Sequence, residues 1–315
     1  MNSDEKSGNG RHIDLFAIRE GYATALISKA KNRKSQIAFT LVELLVMLGI
    51  FVVLLAIFIP YVASLRESDA RVRCSDNLKL LRNALATYAG DSNGAFPRVR
   101  YDAEHRPDTY TAFTGIDDGD PFGEDTEVQP NDVSASLWLL LRNNLAMRKH
   151  FICPGTWDTR DPQTDEHGRP TSLKRRSNFR SGSNLSYSYA SPFSSALQYS
   201  LNADRLDWGF ALMADKNPGA AAASVSVHSR PLERAKGNSP NHNGAGQNVL
   251  YSDGHVEWRT TPYAGFKSDN IYTTLWPRPL EPGQQPPPDS NGFTGKNVGP
   301  SWAIDSYLVP SAEDD

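Results

Sequence analysis

An almost unbroken apolar run from Leu44 to Ile59 dominates the hydrophobic pattern of the chain. Counted from Phe39 to Leu65 it is 27 residues long, interrupted by Glu43, Gly49 and Pro60. A helix of ~20 mostly apolar residues crosses a bilayer, so the run predicts a transmembrane helix over 39–65. From Ser64 to Tyr88 the pattern turns amphipathic. Leu65, Val72, Leu78, Leu81, Leu85 and Tyr88 recur among charged residues, which predicts a stalk helix over 66–92 with one face on a domain. Pro60 should bend rather than end the helix, because the periodicity resumes beyond it. Asp91-Ser92-Asn93-Gly94 supplies a stop.

Residues 93–315 read as an α+β head. Ser134–Leu145 predicts a short amphipathic helix, and Phe151-Ile152-Cys153-Pro154 a buried edge segment. Leu185–Tyr189, Phe210–Asp215 and Ile304–Val309 have the short apolar or alternating pattern of strands. Residues 248–258 predict a hairpin, since Asp253-Gly254 separates two β-prone runs. Residues 158–184 are charged and rich in Gly and Ser, which predicts a mobile surface loop. The tail over 276–288 carries six prolines and must be extended. Acids cluster at Asp117, Asp118, Asp120, Glu124 and Asp125. They lack the spacing of a calcium loop and read as a solvated turn.

Charge fixes an orientation. Lys29, Lys31, Arg33 and Lys34 precede the apolar run, so the N-terminus is expected in the cytoplasm and the head on the other side of the membrane. The first 38 residues carry seven Lys/Arg and four Asp/Glu, which leaves the rest of the chain at −6 against −3 for the whole. No basic stripe for nucleic acid is present. An exported compartment permits a disulfide between Cys74 and Cys153, although spacing alone does not test its geometry.

Ala38-Phe39-Thr40-Leu41-Val42-Glu43, followed by the apolar run, resembles the cleavage and methylation site of type IV prepilins and type II secretion pseudopilins. The family usually has Gly where Ala38 stands. The resemblance implies that 1–38 is a leader cut by a prepilin peptidase between Ala38 and Phe39, with methylation of the new amine. It implies an assembly role for Glu43, paired with that amine of a neighbouring subunit, and for Pro60 as the helix-bending proline. It also implies a pilin-like α+β fold, with the long N-terminal helix packed on an antiparallel-sheet head with long loops. A signal peptide would place the small residue after the apolar core rather than before it.

A second segment runs from Asn238 to Val256 and contains His242 and Asp253-Gly254-His255. It resembles the His-x-Asp-Gly signature of bacterial prepilin-like proteins grouped as domain of unknown function 1559. Cys74–Lys79, Phe151–Pro154, Asp269–Tyr272 and Asp305–Pro310 resemble that group as well.

These resemblances imply a non-enzymatic pseudopilin-like subunit, single-pass in the bacterial inner membrane, with its head periplasmic or outside. Its partners would be the peptidase and other pilin-like subunits. An alternative is a membrane-anchored binding protein whose Tyr187, Tyr189, Tyr199, Trp208 and Trp258 form an aromatic platform. A third reading is a metal-dependent enzyme. His242, Asp253, His255 and Asp215 offer two imidazoles and two carboxylates to a divalent ion. Turn chemistry already accounts for most of these residues. No Walker loop, dinucleotide fingerprint or nucleophile elbow implies another cofactor or reaction.

Overall fold

The computed structural model describes residues 40–102, 121–122, 128–165, 167–194, 196, 199–274, 299–301 and 303–312. The leader, Ala38, Phe39, the acidic cluster between Asp117 and Asp125, and the proline-rich tail lie outside the described residues. The chain divides into two compact units, Met1–Pro60 and Tyr61–Asp315. The architecture is α+β, one long helix and a five-stranded antiparallel sheet.

Helix α1 spans Leu41–Asp91 and continues through Pro60. In the first unit its large apolar side chains, from Leu41 to Ile59, are all exposed. It is long and apolar enough to cross a membrane. In the second unit α1 buries Ala70, Cys74, Leu78, Leu81, Ala84, Leu85 and Ala89. Steps of three and four residues put these on one stripe. Leu65 and Val72, expected on that face, are 51 % and 58 % exposed. Val72 sits midway between Ala70 and Cys74, about 200° around the helix from each. Small Ala and Cys side chains form much of the contact face instead, so the hydrophobic pattern alone misplaced it. The helix ends as expected. The Gly94 amide donates to the Ala89 carbonyl at 2.8 Å, with Asn93 and Gly94 at positive φ.

Helix α2, Val133–Arg142, is capped by the Asp132 side chain, which accepts from the Ala135 amide at 2.8 Å. Every residue from Val133 to Leu141 is buried. It is therefore a core helix rather than an amphipathic one; Ser134 and Ser136, which set its apparent polar face, bond inside the core to Asp132.

The strands are β1 (Tyr187–Ala190), β2 (Ala211–Asp215), β3 (Gln247–Tyr251), β4 (Val256–Arg259) and β5 (Leu308–Val309). They lie in the order β4-β3-β2-β1-β5, all antiparallel. β1, β2 and β3 are buried along their whole length. Their side chains join α1 and α2 in one core with Trp138, Phe151, Phe179, Tyr187 and Tyr189.

The β3–β4 hairpin forms with a longer loop than Asp-Gly suggested. The Gly254 amide donates to the Tyr251 carbonyl, and the Tyr251 amide to the His255 carbonyl. Three residues, 252–254, therefore make the connection. Neither Ser252 nor Asp253 has positive φ, whereas Gly254 does at 93°. That is a turn followed by a glycine bulge, not a primed two-residue turn.

The 158–184 segment also departs from expectation. Asp161 and Arg176 form a fully buried ion pair with two parallel contacts, and the guanidinium lies 4.6 Å from the Trp138 ring centroid. The backbone amides of Gln163 and Arg180 donate to the same carboxylate. Asp161 and Arg176, which read as solvated charges, are folded inward as a pair, whereas Arg160, Arg169, Lys174, Arg175 and Arg180 of the same segment stay exposed.

Leu81→Ala should destabilise the second unit by about 2–5 kcal/mol through lost burial and the cavity left behind. Val72→Ala should change it by less than about 0.5 kcal/mol. Urea unfolding of the full chain in detergent, followed by tryptophan fluorescence, distinguishes the two; equal losses would contradict the assigned helix face.

Candidate functional site

The densest chemistry gathers where three turns of α1 meet β2, β3 and the loop before β3. Glu67, Arg71 and Cys74 follow one another along α1. Asp215 is the last residue of β2, and the pairing of Ala214 with Val249 sets it beside Asn248 of β3. Cys153 follows a short 3-10 turn, Arg148–Phe151, and His242 lies in another, Asn241–Gly244.

A disulfide joins Cys74 to Cys153 and closes a 79-residue separation. Cross-linking a loop of that length removes about 4–5 kcal/mol of unfolded-chain entropy in the loop-closure account. Both sulfur-bearing residues are fully buried. His242, also fully buried, lies directly against the bridge, with Nε2 3.3 Å from Cys153 Sγ. Its Nδ1 is 3.0 Å from Glu67 Oε1, and its Nε2 is 3.6 Å from Asp215 Oδ2. The imidazole thus sits between two carboxylates. Backbone geometry fixes it there: His242 has φ 56° and ψ 31°, and Asn243 follows at φ 57°. A side chain at Gly155 would come within 2.8 Å of His242 Nδ1, so the ring's position requires glycine there. Trp258 presents an edge to the ring at 5.4 Å, and Arg71 lies 4.2 Å over Trp258 while pairing with Glu67 at 2.9 Å.

Asp215 is held on every side. Its Oδ2 accepts from the Asn248 amide at 2.7 Å and its Oδ1 from Asn241 Nδ2 at 3.2 Å. Asn248 Nδ2 also donates to the Arg71 carbonyl, which ties the strand to the helix. Burial pushes the Asp215 carboxyl up to about 6, against the opposing pull of His242 and these hydrogen bonds. Burial likewise raises Asp305 to about 6, although Ser301 and Thr274 donate to it.

The four candidate metal ligands are not brought together. His242 and Asp215 meet, but Asp253 and His255 stand apart as a turn pair. Asp253 Oδ1 accepts from the His255 amide and lies 2.6 Å from His255 Nδ1, and the His255 ring stacks on Tyr251 at 4.4 Å. The three-residue loop accounts for both. Among the described residues, the group within metal-binding range is Cys74, Cys153, Asp215 and His242. The sequence reading treated the cysteines and His242 separately. Only the αL conformation of His242 turns its ring toward the bridge, and no local pattern announces that. The proposed aromatic platform is also dispersed: Tyr187 and Tyr189 are core residues, while Trp208 is 70 % exposed.

Glu43 has a local role that the sequence signature did not reveal. Its Oε2 accepts from the Thr40 amide at 2.9 Å and the Thr40 hydroxyl at 2.8 Å, and the Glu43 amide donates to Thr40 Oγ1. Thr40-Leu41-Val42-Glu43 is thus a capping box at the start of α1.

The raised pKa of Asp215 sets a pH dependence. The unfolded carboxyl loses its proton near 3.8 and the folded one near 6, so the folded state binds more protons in between. Stability should therefore fall as pH rises from about 4 to about 6, by an amount on the order of 3 kcal/mol from Asp215. Asp305 acts in the same direction, so Asp215→Asn should flatten the slope without abolishing it. Urea midpoints measured across this window test the sign; a slope unchanged in the variant would remove the assignment.

Comparison with protein-family models, curated proteins and solved structures gives no match. The functional reading therefore rests on this chain's own residues.

Proposed function

We propose that this chain is a pseudopilin-like structural subunit of a type II secretion or type IV pilus-like assembly. A prepilin peptidase removes residues 1–38, and Phe39 becomes the methylated N-terminus. The mature subunit is held in the bacterial inner membrane by α1, with its second unit on the periplasmic or outer side.

The observation that carries this reading is the state of α1 directly after Ala38-Phe39-Thr40-Leu41-Val42-Glu43. From Leu41 to Ile59 its large apolar side chains are exposed. That much apolar surface needs lipid or other helices around it. Glu43 is the sole acid between Thr40 and Arg66. A carboxylate in lipid is costly, and an interhelical cation at the neighbour's N-terminus offsets that cost. Lateral packing of such helices, with Glu43 setting their stagger, is the physical basis of assembly. Pro60 lies 17 residues beyond Glu43, about 26 Å along the helix axis, where the apolar run ends.

The mature N-terminus, read by mass spectrometry after expression with a prepilin peptidase, should be N-methylated Phe39; intact Met1 or a cut elsewhere would overturn the proposal. Glu43→Gln should be processed normally and keep the capping box, since Gln caps as Glu does. It should nevertheless lose cross-links between neighbouring subunits. Retained cross-linking in Glu43→Gln would confine Glu43 to its capping role.

A further inference from the structure

The disulfide, His242 and Asp215 form a cluster richer than a structural cross-link needs. The four ligand atoms lie within 4.8 Å of one another, and all four residues are buried. We propose that, with the disulfide reduced, Cys74, Cys153, His242 and Asp215 form a closed tetrahedral site for a zinc ion. The inference rests on this geometry and not on the pseudopilin reading.

Ligand separations support the assignment. Zinc bonds of ~2.3 Å to sulfur and ~2.0–2.1 Å to nitrogen or oxygen place neighbouring tetrahedral ligands about 3.3–3.8 Å apart. His242 Nε2 already lies 3.3 Å from Cys153 Sγ and 3.6 Å from Asp215 Oδ2. The two sulfurs must separate, from a bond to about 3.7 Å, and the remaining ligand pairs, within 4.8 Å already, close to the same range by side-chain rotation.

The surrounding groups match those that support a metal ligand. Glu67 Oε1 lies 3.0 Å from His242 Nδ1. With the proton on Nδ1 donated to Glu67, Nε2 presents its lone pair inward, as in carboxylate–histidine–zinc arrangements. Arg71 pairs with Glu67 at 2.9 Å and offsets its charge. Asp215 Oδ2 is oriented by the Asn248 amide. Two thiolates, one carboxylate and one neutral imidazole suit a borderline-soft divalent ion. Full burial keeps the bulk of a protein thiol away from both sulfurs, whereas a small dithiol reaches the bridge through local opening of the site.

The chemistry balances. A small dithiol reductant gives two electrons and two protons to the Cys74–Cys153 bond and becomes a disulfide itself. Zinc binding then releases the two thiol protons to solvent. A small disulfide oxidant takes the two electrons back, its own sulfurs leaving as two thiols with protons from solvent, and the restored Cys74–Cys153 bond releases the metal, so bridge and ion are exclusive occupants of one site.

The test uses the full chain in detergent, reduced under argon with a dithiol that is removed before cobalt(II) and then zinc(II) are added. One cobalt per chain is expected, with thiolate-to-cobalt charge-transfer and tetrahedral d–d bands that zinc displaces and reoxidation abolishes. Asp215→Asn and His242→Gln should each weaken binding at least ~10-fold. Glu67→Gln, which leaves all four ligands in place, should weaken it by ~10-fold or more as a supporting carboxylate. Absence of stoichiometric cobalt in the reduced wild type would overturn the proposal. So would affinity unchanged in both ligand variants. Unfolding on reduction, with near-ultraviolet circular dichroism that metal does not restore, would count equally against it.

Discussion

The second unit depends on one contact, the seam between α1 and the ends of β2 and β3. Apolar packing along the stripe of leucines and alanines attaches the helix but, being non-directional, does not by itself set its register. At the upper end of that stripe the polar seam takes over. Cys74 bonds covalently to Cys153, Asn248 reaches the Arg71 carbonyl, and Asn77 donates to the Ile152 carbonyl at 2.9 Å. Asp215 and His242 are buried between these ties. Buried polar groups specify one register when satisfied and are costly otherwise. A helix shifted by one residue would leave Asp215, Asn248 and Asn77 without their present partners together. The seam therefore fixes the helix position that generic hydrophobicity leaves open.

The same helix meets two different demands along its length. From Leu41 to Ile59 it is apolar on every side, as a helix in a uniform apolar medium must be. Beyond Tyr61 it narrows to a stripe of small residues and leucines, with exposed Asp69–Arg73 and Asp76–Lys79 pairs along the turns. Such exposed pairs contribute only a few tenths of a kcal/mol each. Their consequence is solubility of the outer face, while the disulfide and the buried Leu78, Leu81 and Leu85 supply the attachment.

How much was legible in the sequence follows from range. Elements whose signals are local were readable: the α1 stop at Gly94, the strands at Tyr187, Ala211, Gln247 and Val256, and Asp253 as a turn residue. Features set by tertiary packing were not. Val72 looks like a core residue until the Ala70–Cys74 stripe is known. The Asp161–Arg176 pair reads as two solvated charges in a Gly/Ser-rich loop until Trp138 covers it. The site was half legible. The His242 segment and Asp215 were singled out, but the second histidine and acid attracted attention for reasons the hairpin loop explains. Cys153 and Glu67 lie 89 and 175 residues from His242, and no spacing rule spans such distances.

Glu43 shows how a local role and the proposed intermolecular one can share one side chain. Both bonds from Thr40 go to Oε2. The capping box thus uses one carboxylate oxygen and leaves Oε1 to a partner. In the proposed assembly, a neighbour's terminal amine at Oε1 would meet a carboxylate already oriented by its own helix. Little side-chain entropy would then remain to be lost on pairing. In the single subunit, the same two bonds and the positive end of the helix dipole lower the cost of an acid at that depth. On the proposed reading, a carboxylate without the cap would be costly both in the single subunit and in the assembly, whereas the bonds from Thr40 would make Glu43 tolerable in the first and oriented for the second.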